Sequence, residues 1–180
     1  MKKILLTLII LGGLIGFFLF TTPGLDTLKR LPDAHKDASW APFTYYNIAR
    51  IQAGMGRTTK AAEIYEQMLN IYDDDYLRKG QYAPFVKNEL SKHYMPYALF
   101  QCGSCYERTA DNEYNLYTVQ RKQGQDKEAA ESLDKARKDY DKAMDLFNEF
   151  IDRFNYHPLY SEANRLHNEA ETKYYSLPLQ

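Results

Sequence analysis

Eight residues in the last third of this chain restrict its fold more than any other feature. Ala129, Leu133, Ala136, Tyr140, Ala143, Phe147, Phe150 and Phe154 follow one another at spacings that alternate between four and three. Such a series falls on one stripe only in an α-helix, and its persistence over nearly four heptads asks for a long partner helix. One half of the seam is small (Ala129, Ala136, Ala143, then Phe150) and the other large (Leu133, Tyr140, Phe147, Phe154), a pattern suited to close approach. The simplest partner is the helical segment that precedes it, with Gln123-Gly124-Gln125 as the chain reversal. The expectation is a long antiparallel hairpin within one molecule. A sharper alternative is that its tip, residues 115–127, protrudes and docks on a partner. Glu131→Lys135 and Asp134→Lys138 pairs mark the solvated side, each worth about 0.2–0.5 kcal/mol.

Composition agrees with an all-α fold. Nine Gly and seven Pro in 180 residues are too few for a turn-rich all-β chain, and no run of alternating β-branched residues occurs. The length fits one ordinary domain, and 44% hydrophobic with 26% charged residues excludes disorder. A net charge of −1 excludes a nucleic-acid footprint, which needs a clustered basic excess. Two cysteines exclude a disulfide-rich scaffold and a four-cysteine zinc site.

The N-terminal residues 4–20 form an apolar run broken only by Thr7 and glycines, preceded by Lys2 and Lys3. Its length is at the lower edge for crossing a bilayer. Phe17, Phe18 and Phe20 crowd the exit, no Ala-x-Ala cleavage pattern follows, and no cysteine offers a lipidation site. Residues 1–22 are therefore expected to be an uncleaved signal anchor, a transmembrane helix, rather than a cleaved signal peptide. Basic residues do not decide the orientation, since Lys2 and Lys3 lie on one side of the run and Lys29, Arg30 and Lys36 on the other. The short N-terminal tail resembles a signal sequence, which places it in the cytoplasm and the body outside, in the periplasm of a bacterium with the anchor in the inner membrane. Residues 23–41 read as a tether with a short helix over 25–31, and residues 42–180 as the helical domain.

The domain opens with a helix over 44–51, broken by Gly54 and Gly56, and a second over 60–69 that ends near Asp73-Asp74-Asp75. Tyr45, Ile48, Ala49, Gly56, Ala61, Tyr65 and Met68 fall at the signature spacings of the tetratricopeptide repeat, which this stretch resembles. The physics agrees: Ala49 and Ala61 let two antiparallel helices approach, and the larger residues fill the space around them. Gln52 stands where an aromatic is usual, and Asp73 where a proline closes the repeat.

A second pair follows in stretched form. Pro96 is expected in the first turn of its first helix, where a missing N–H costs nothing. Gly103 and Tyr106 hold signature positions, and residues 140–154, with Ala143 and Phe147 in register, supply the second helix. A last helix over 158–175, striped by Ala163, Leu166, Ala170 and Tyr174, is expected to cap the array. Residues 147–163 resemble the repeat variety of bacterial envelope proteins, among them the lipoprotein of the outer-membrane β-barrel assembly machinery and the Tol-associated coordinator proteins.

Catalytic signals are weak. Cys102-Gly103-Ser104-Cys105 is a C-x-x-C, open to three readings: core cysteines, a local or intermolecular disulfide, or a redox or metal site. Its place two turns inside a helix, on the stripe Ala98, Cys102, Cys105, favours the core. His35, His93, His157 and His167 form no i, i+4 pair, and His157 before Pro158 is a candidate cap for the last helix. Asp73-Asp74-Asp75 lacks the glycine and glutamate of a calcium loop. No nucleophile has an assignable base. The expectation is a non-enzymatic protein with no cofactor, no metal and no nucleic-acid partner.

In tetratricopeptide repeats the first helix of each pair lines a concave groove. The resemblance thus implicates Phe43, Tyr46, Asn47, Arg50 and Ala53, then Tyr97, Phe100, Gln101 and Ser104, with Trp40 just before them as a core plug or interface anchor. Asn47 and Arg50 occupy positions where some family members hold a peptide carboxylate, but Gln101 and Ser104 do not complete that clamp. The expected role is a membrane-anchored scaffold or accessory subunit that binds other protein subunits of a membrane or envelope complex. The alternative is a periplasmic helper in outer-membrane protein or lipoprotein biogenesis.

Overall fold

The computed structural model describes Gly16, residues 21–73 and residues 91–178. Six helices and no strand occur among the described residues: α1 (Thr22–Ala34), α2 (Ala41–Gly54), α3 (Thr58–Tyr72), α4 (Ser91–Lys122), α5 (Asp126–Arg153) and α6 (Tyr160–Ser176). Apart from Gly16, the expected membrane-spanning run lies outside them. No helix among the described residues is long and apolar enough to cross a membrane.

The segment expected to be a tether is an integral layer of the fold. Thr21 caps α1 by accepting the Gly24 N–H at 3.1 Å, and Pro23 sits in the first turn, where its missing donor is harmless. Leu25 is fully buried, and Asp33 ties α1 to both helices of the first pair. It accepts the Tyr45 hydroxyl at 2.5 Å, the Gln67 amide at 2.8 Å and the Lys29 ammonium at 3.1 Å. Burial pushes the Asp33 carboxyl up, but these hydrogen bonds outweigh it and hold it below the usual carboxylate range. The short helix expected over 25–31 is longer at both ends, and its packing was not expected because it depends on Asp33, whose partners lie far along the chain.

The repeat helices pack as the signature positions require. Tyr45, Ala49, Ala61, Tyr65 and Met68 are fully buried between α2 and α3, and Ile48 nearly so. Gly56 turns the chain at φ +77°, a conformation that side-chain-bearing residues rarely adopt. In place of the closing proline, Asp73 accepts two hydrogen bonds from Arg153 of α5, at 2.8 and 2.9 Å. Arg153 also donates to Glu149 at 2.8 Å, so a nearly buried acid–base–acid triad locks the end of the first pair to the end of the second.

α4 and α5 form the expected hairpin, reversed at Gly124 with φ +73°. Of the eight seam residues, seven are buried and Phe154 half-buried. At the closest approach of the two helices, a Cβ on Gly103 would lie 2.9 Å from the Phe147 ring. α4 begins earlier than expected: Pro96 is inside the helix, not in its first turn. The additional turn is held by Met95, which is buried, and Tyr94, which packs on Tyr46 at 5.4 Å. That packing offsets the one backbone bond the proline cannot make.

The main core gathers α1, α2, α3, the first half of α4 and the second half of α5, and reaches Ala163 of α6. A second, smaller core joins Ala110, Leu133 and Tyr140 to Ala170 of α6 and to Leu177 just after it. There Tyr140 donates to Asp111 at 2.6 Å, and Lys173 bridges Glu107 and Asp111 at 2.9 and 3.0 Å. α6 thus acts as the expected cap, offset by two residues from the expected start.

Candidate interaction face

α2 and the first turns of α4 lie against each other and present one aromatic face. Phe43, half exposed, meets Tyr94 at 5.9 Å, and Tyr94 stacks at a tilt on Tyr46. Tyr46 rests in turn on the buried Tyr65 at 5.9 Å. Burial pushes the Tyr46 hydroxyl up, and a hydrogen bond from Arg50 works against that shift. Tyr97, 41% exposed, stands edge-on to His157 at 4.9 Å, and His157 stands edge-on to Phe150 at 5.4 Å. Ring contacts thus join α2 to the start of α4 through Tyr94, and α4 to the turn between α5 and α6 through Tyr97.

The expected residues divide into four groups. Phe43, Tyr46, Arg50 and Tyr97 lie on this face with their side chains at least partly accessible. Trp40, 43% exposed, lies at its edge against His35, ring centroids 6.1 Å apart, and is not a core plug. Asn47, Gln101 and Ala53 are half-buried, with the Asn47 amide donating to the Phe43 carbonyl at 2.8 Å. Ser104 donates to the Phe100 carbonyl at 3.1 Å. Phe100 is corrected to a core residue: it is 6% exposed and packs on Phe147 and Phe150 at 6.0 and 5.8 Å. Helical register alone put it on the groove, but α5 covers that side of α4.

Tyr94 and His157 belong to the face and were not expected there. Tyr94 fell before the anticipated helix start at Pro96, and His157 read as a cap. His157 does brace the turn, accepting the Leu159 N–H through Nδ1 at 3.2 Å, while its ring edge serves the aromatic row. A signal was available: α4 read one turn further toward its N-terminus places Tyr94 and Tyr97 one turn apart.

Charge is distributed unevenly around this face. Neither α2 nor the first half of α4, from Ser91 to Tyr106, contains an Asp or Glu, although the chain has 24. The same stretches carry Arg50, Lys92 and His93. The surface is therefore aromatic with a positive bias, suited to an extended apolar segment with an acidic group.

The cysteines behave as core residues. Both are free and buried, and the Cys102 thiol points to the Ala62 carbonyl at 3.7 Å. Burial pushes both thiols up, Cys105 to about 11, opposite to what an activated thiolate requires.

The fold and the face define an all-α helical-repeat protein of the protein-interaction class. Residues 43–75 and 97–154 match the tetratricopeptide repeat family, and the chain belongs to it. The two matched segments coincide with the first pair and with the stretched second pair. Neither a curated protein nor a solved structure matches the chain.

Proposed function

We propose that this chain is a membrane-anchored, non-catalytic scaffold or accessory subunit that holds a segment of a partner protein on its aromatic face. The observation that carries this reading is the group of at least partly exposed rings Phe43, Tyr46, Tyr94, Tyr97 and His157, set on α2 and on a first half of α4 that contain no acidic residue. Large rings offer contact area at little entropic cost, and Arg50 adds a directional donor for a carboxylate. The apolar run at residues 4–20 behind Lys2 and Lys3 supports anchoring in a bacterial inner membrane with the domain in the periplasm. Confinement to that surface raises the effective concentration of partners there without high intrinsic affinity.

The test is affinity capture of the full chain after mild solubilisation, with the wild type beside Phe43→Ala and Tyr97→Ala. A defined set of co-purifying subunits, lost in both variants with the fold intact, is the expected result. Recovery of the monomer alone overturns the reading. Protease accessibility of the C-terminus in spheroplasts checks orientation, and a protected domain would move it to the cytoplasm.

A further inference from the structure

The hairpin does not stop where the repeat stops. Thr58, the first residue of α3, meets Thr109 of α4 at 2.8 Å, and Cys102 faces Ala62, so the two helices are antiparallel. α4 then continues thirteen residues past Thr109 to Lys122, about 20 Å at 1.5 Å per residue. An open cleft lined by Arg57, Lys60, Thr109 and Asn112 marks the step at which α3 begins and beyond which α4 goes on alone. Beyond it, Leu116 and Val119 stand about half exposed, at 45% and 49%, one turn apart. On the other side, α6 ends at Ser176, with Leu177 just after it packed by Leu133 and Tyr140. The last turns of both helices are covered by nothing but each other among the described residues.

The N-terminal end of α1 lies at this same end of the bundle. Asp26 pairs with Lys60 at 3.4 Å and Asp33 with Gln67 at 2.8 Å, so α1 runs parallel to α3. Its first residue is therefore about level with Thr58 and Thr109. No slack separates α1 from the apolar run, because Phe20 is followed by Thr21, which already caps the helix. The headgroup layer of a leaflet is only about 5–8 Å deep. A projection of about 20 Å from the level of Thr22 exceeds that depth severalfold.

We infer that the tip of the α4–α5 hairpin rests in the headgroup layer of the bilayer that holds residues 4–20. Leu116 and Val119 are the inserted pair, and Lys122 and Lys127 face anionic headgroups. The inference rests on the membrane reading proposed above and adds a second point of contact, which sets the tilt of the domain and so the direction in which the aromatic face looks. The chemistry at the tip fits a lipid surface: an apolar pair flanked by long basic side chains that can snorkel. Its acids do not cancel this, because Asp126 is paired with Arg121, leaving Glu128 against Lys122 and Lys127.

The test places an indole at the tip. Full-length protein carrying Val119→Trp with Trp40→Phe is reconstituted in phosphatidylethanolamine–phosphatidylglycerol vesicles that contain brominated acyl chains. Tyr156→Trp in the same background, at the opposite end of the bundle and 97% exposed, is the control. The expected result is co-flotation with the vesicles and at least about twofold quenching of the V119W indole, with the Y156W indole unquenched. Lys122→Glu with Lys127→Glu is expected to reduce the quenching in anionic vesicles. A chain that fails to float overturns both the anchor and this inference. A chain that floats with an unquenched V119W indole overturns this inference alone.

Discussion

The two helix pairs of this domain close with the same turn and differ in how much covers them. In the first, Gly56 sits at φ +77° and the Arg57 N–H reaches back to the Gln52 carbonyl at 3.0 Å. In the second, Gly124 sits at φ +73° and the Gln125 N–H reaches the Gln120 carbonyl at 3.0 Å. Both are the six-to-one bond of a glycine-terminated helix. Yet α2 and α3 have 14 and 15 residues, whereas α4 and α5 have 32 and 28. The short pair is sandwiched by α1 and α4 over its whole length. The long pair is not: its proximal half enters the main core, its middle is held by α6, and its tip has only itself. Helix length thus exceeds what the common core demands, and the excess is available for contact outside the domain.

The comparison breaks most easily on the α5 seam. Phe147 and Leu133 occupy equivalent large positions two heptads apart, but Phe147 is fully buried in the main core and Leu133 belongs to the smaller one. Phe147→Ala should cost about 3–5 kcal/mol and Leu133→Ala about 2–3 kcal/mol, read by urea denaturation. Equal costs would mean that the hairpin is uniformly supported and the division into halves is wrong.

The junction of the pairs gives the next effect. Arg153→Met leaves the nearly buried Asp73 and Glu149 without their shared cation. A loss of about 2–4 kcal/mol in the same assay is expected. If the two pairs instead unfold separately in that variant, two transitions will appear where the wild type shows one.

A smaller effect has the opposite sign. Asp139 on α5 is half-buried, and burial, reinforced by Glu113 across the hairpin, raises its carboxyl to about 6. An acid whose folded value is raised opposes folding once it ionises, so its penalty appears as the pH rises through about 6 and fades below it. Asp139→Asn should stabilise the protein at pH 7 by about 1 kcal/mol after allowance for solvent screening, and by less at pH 5. A gain independent of pH would assign the effect to helix propensity rather than to the charge.

How much of this was legible in the sequence follows the same division. The seam of α5 could be read residue by residue because one helix, α4, covers most of its stripe. The first repeat pair was equally clear, since Tyr45, Ala49, Ala61 and Tyr65 meet each other at short sequence distance. α4 was harder because three neighbours, α2, α3 and α5, each bury a different side of it. No single period results, so Phe100 read as groove and Tyr94, ahead of the expected start at Pro96, was not assigned. α1 was read as tether because its attachment depends on Asp33, a polar residue whose partners lie 12 and 34 positions away. Periodicity reports which face is apolar, not what lies against it. The membrane anchor stands on residues 4–20 alone, and the aromatic face needed the fold to assemble it.

The smallest expected effect is the sharpest comparison, because it makes the same change at the same turn in both pairs. Gly56 and Gly124 have nearly the same positive φ, and a Cβ at either would meet no atom within 4 Å. Steric crowding is therefore absent at both, and Ala at either carries only the conformational penalty of about 1–2 kcal/mol for a left-handed residue. The outcomes should still differ. At Gly56 the turn is followed at once by Thr58, nearly buried and bonded to Thr109, so the strain cannot be relieved without opening the main core. At Gly124 the flanking residues from Arg121 to Glu128 are all exposed, and the tip can fray by a turn at little cost. Gly56→Ala should lower global stability by about 1 kcal/mol, and Gly124→Ala by less than about 0.5 kcal/mol. In the second variant the strain should appear instead as faster amide exchange confined to residues near the tip. Equal global losses would show that the tip is cooperative with the core, and a hairpin that rigid could not adapt to a surface it touches.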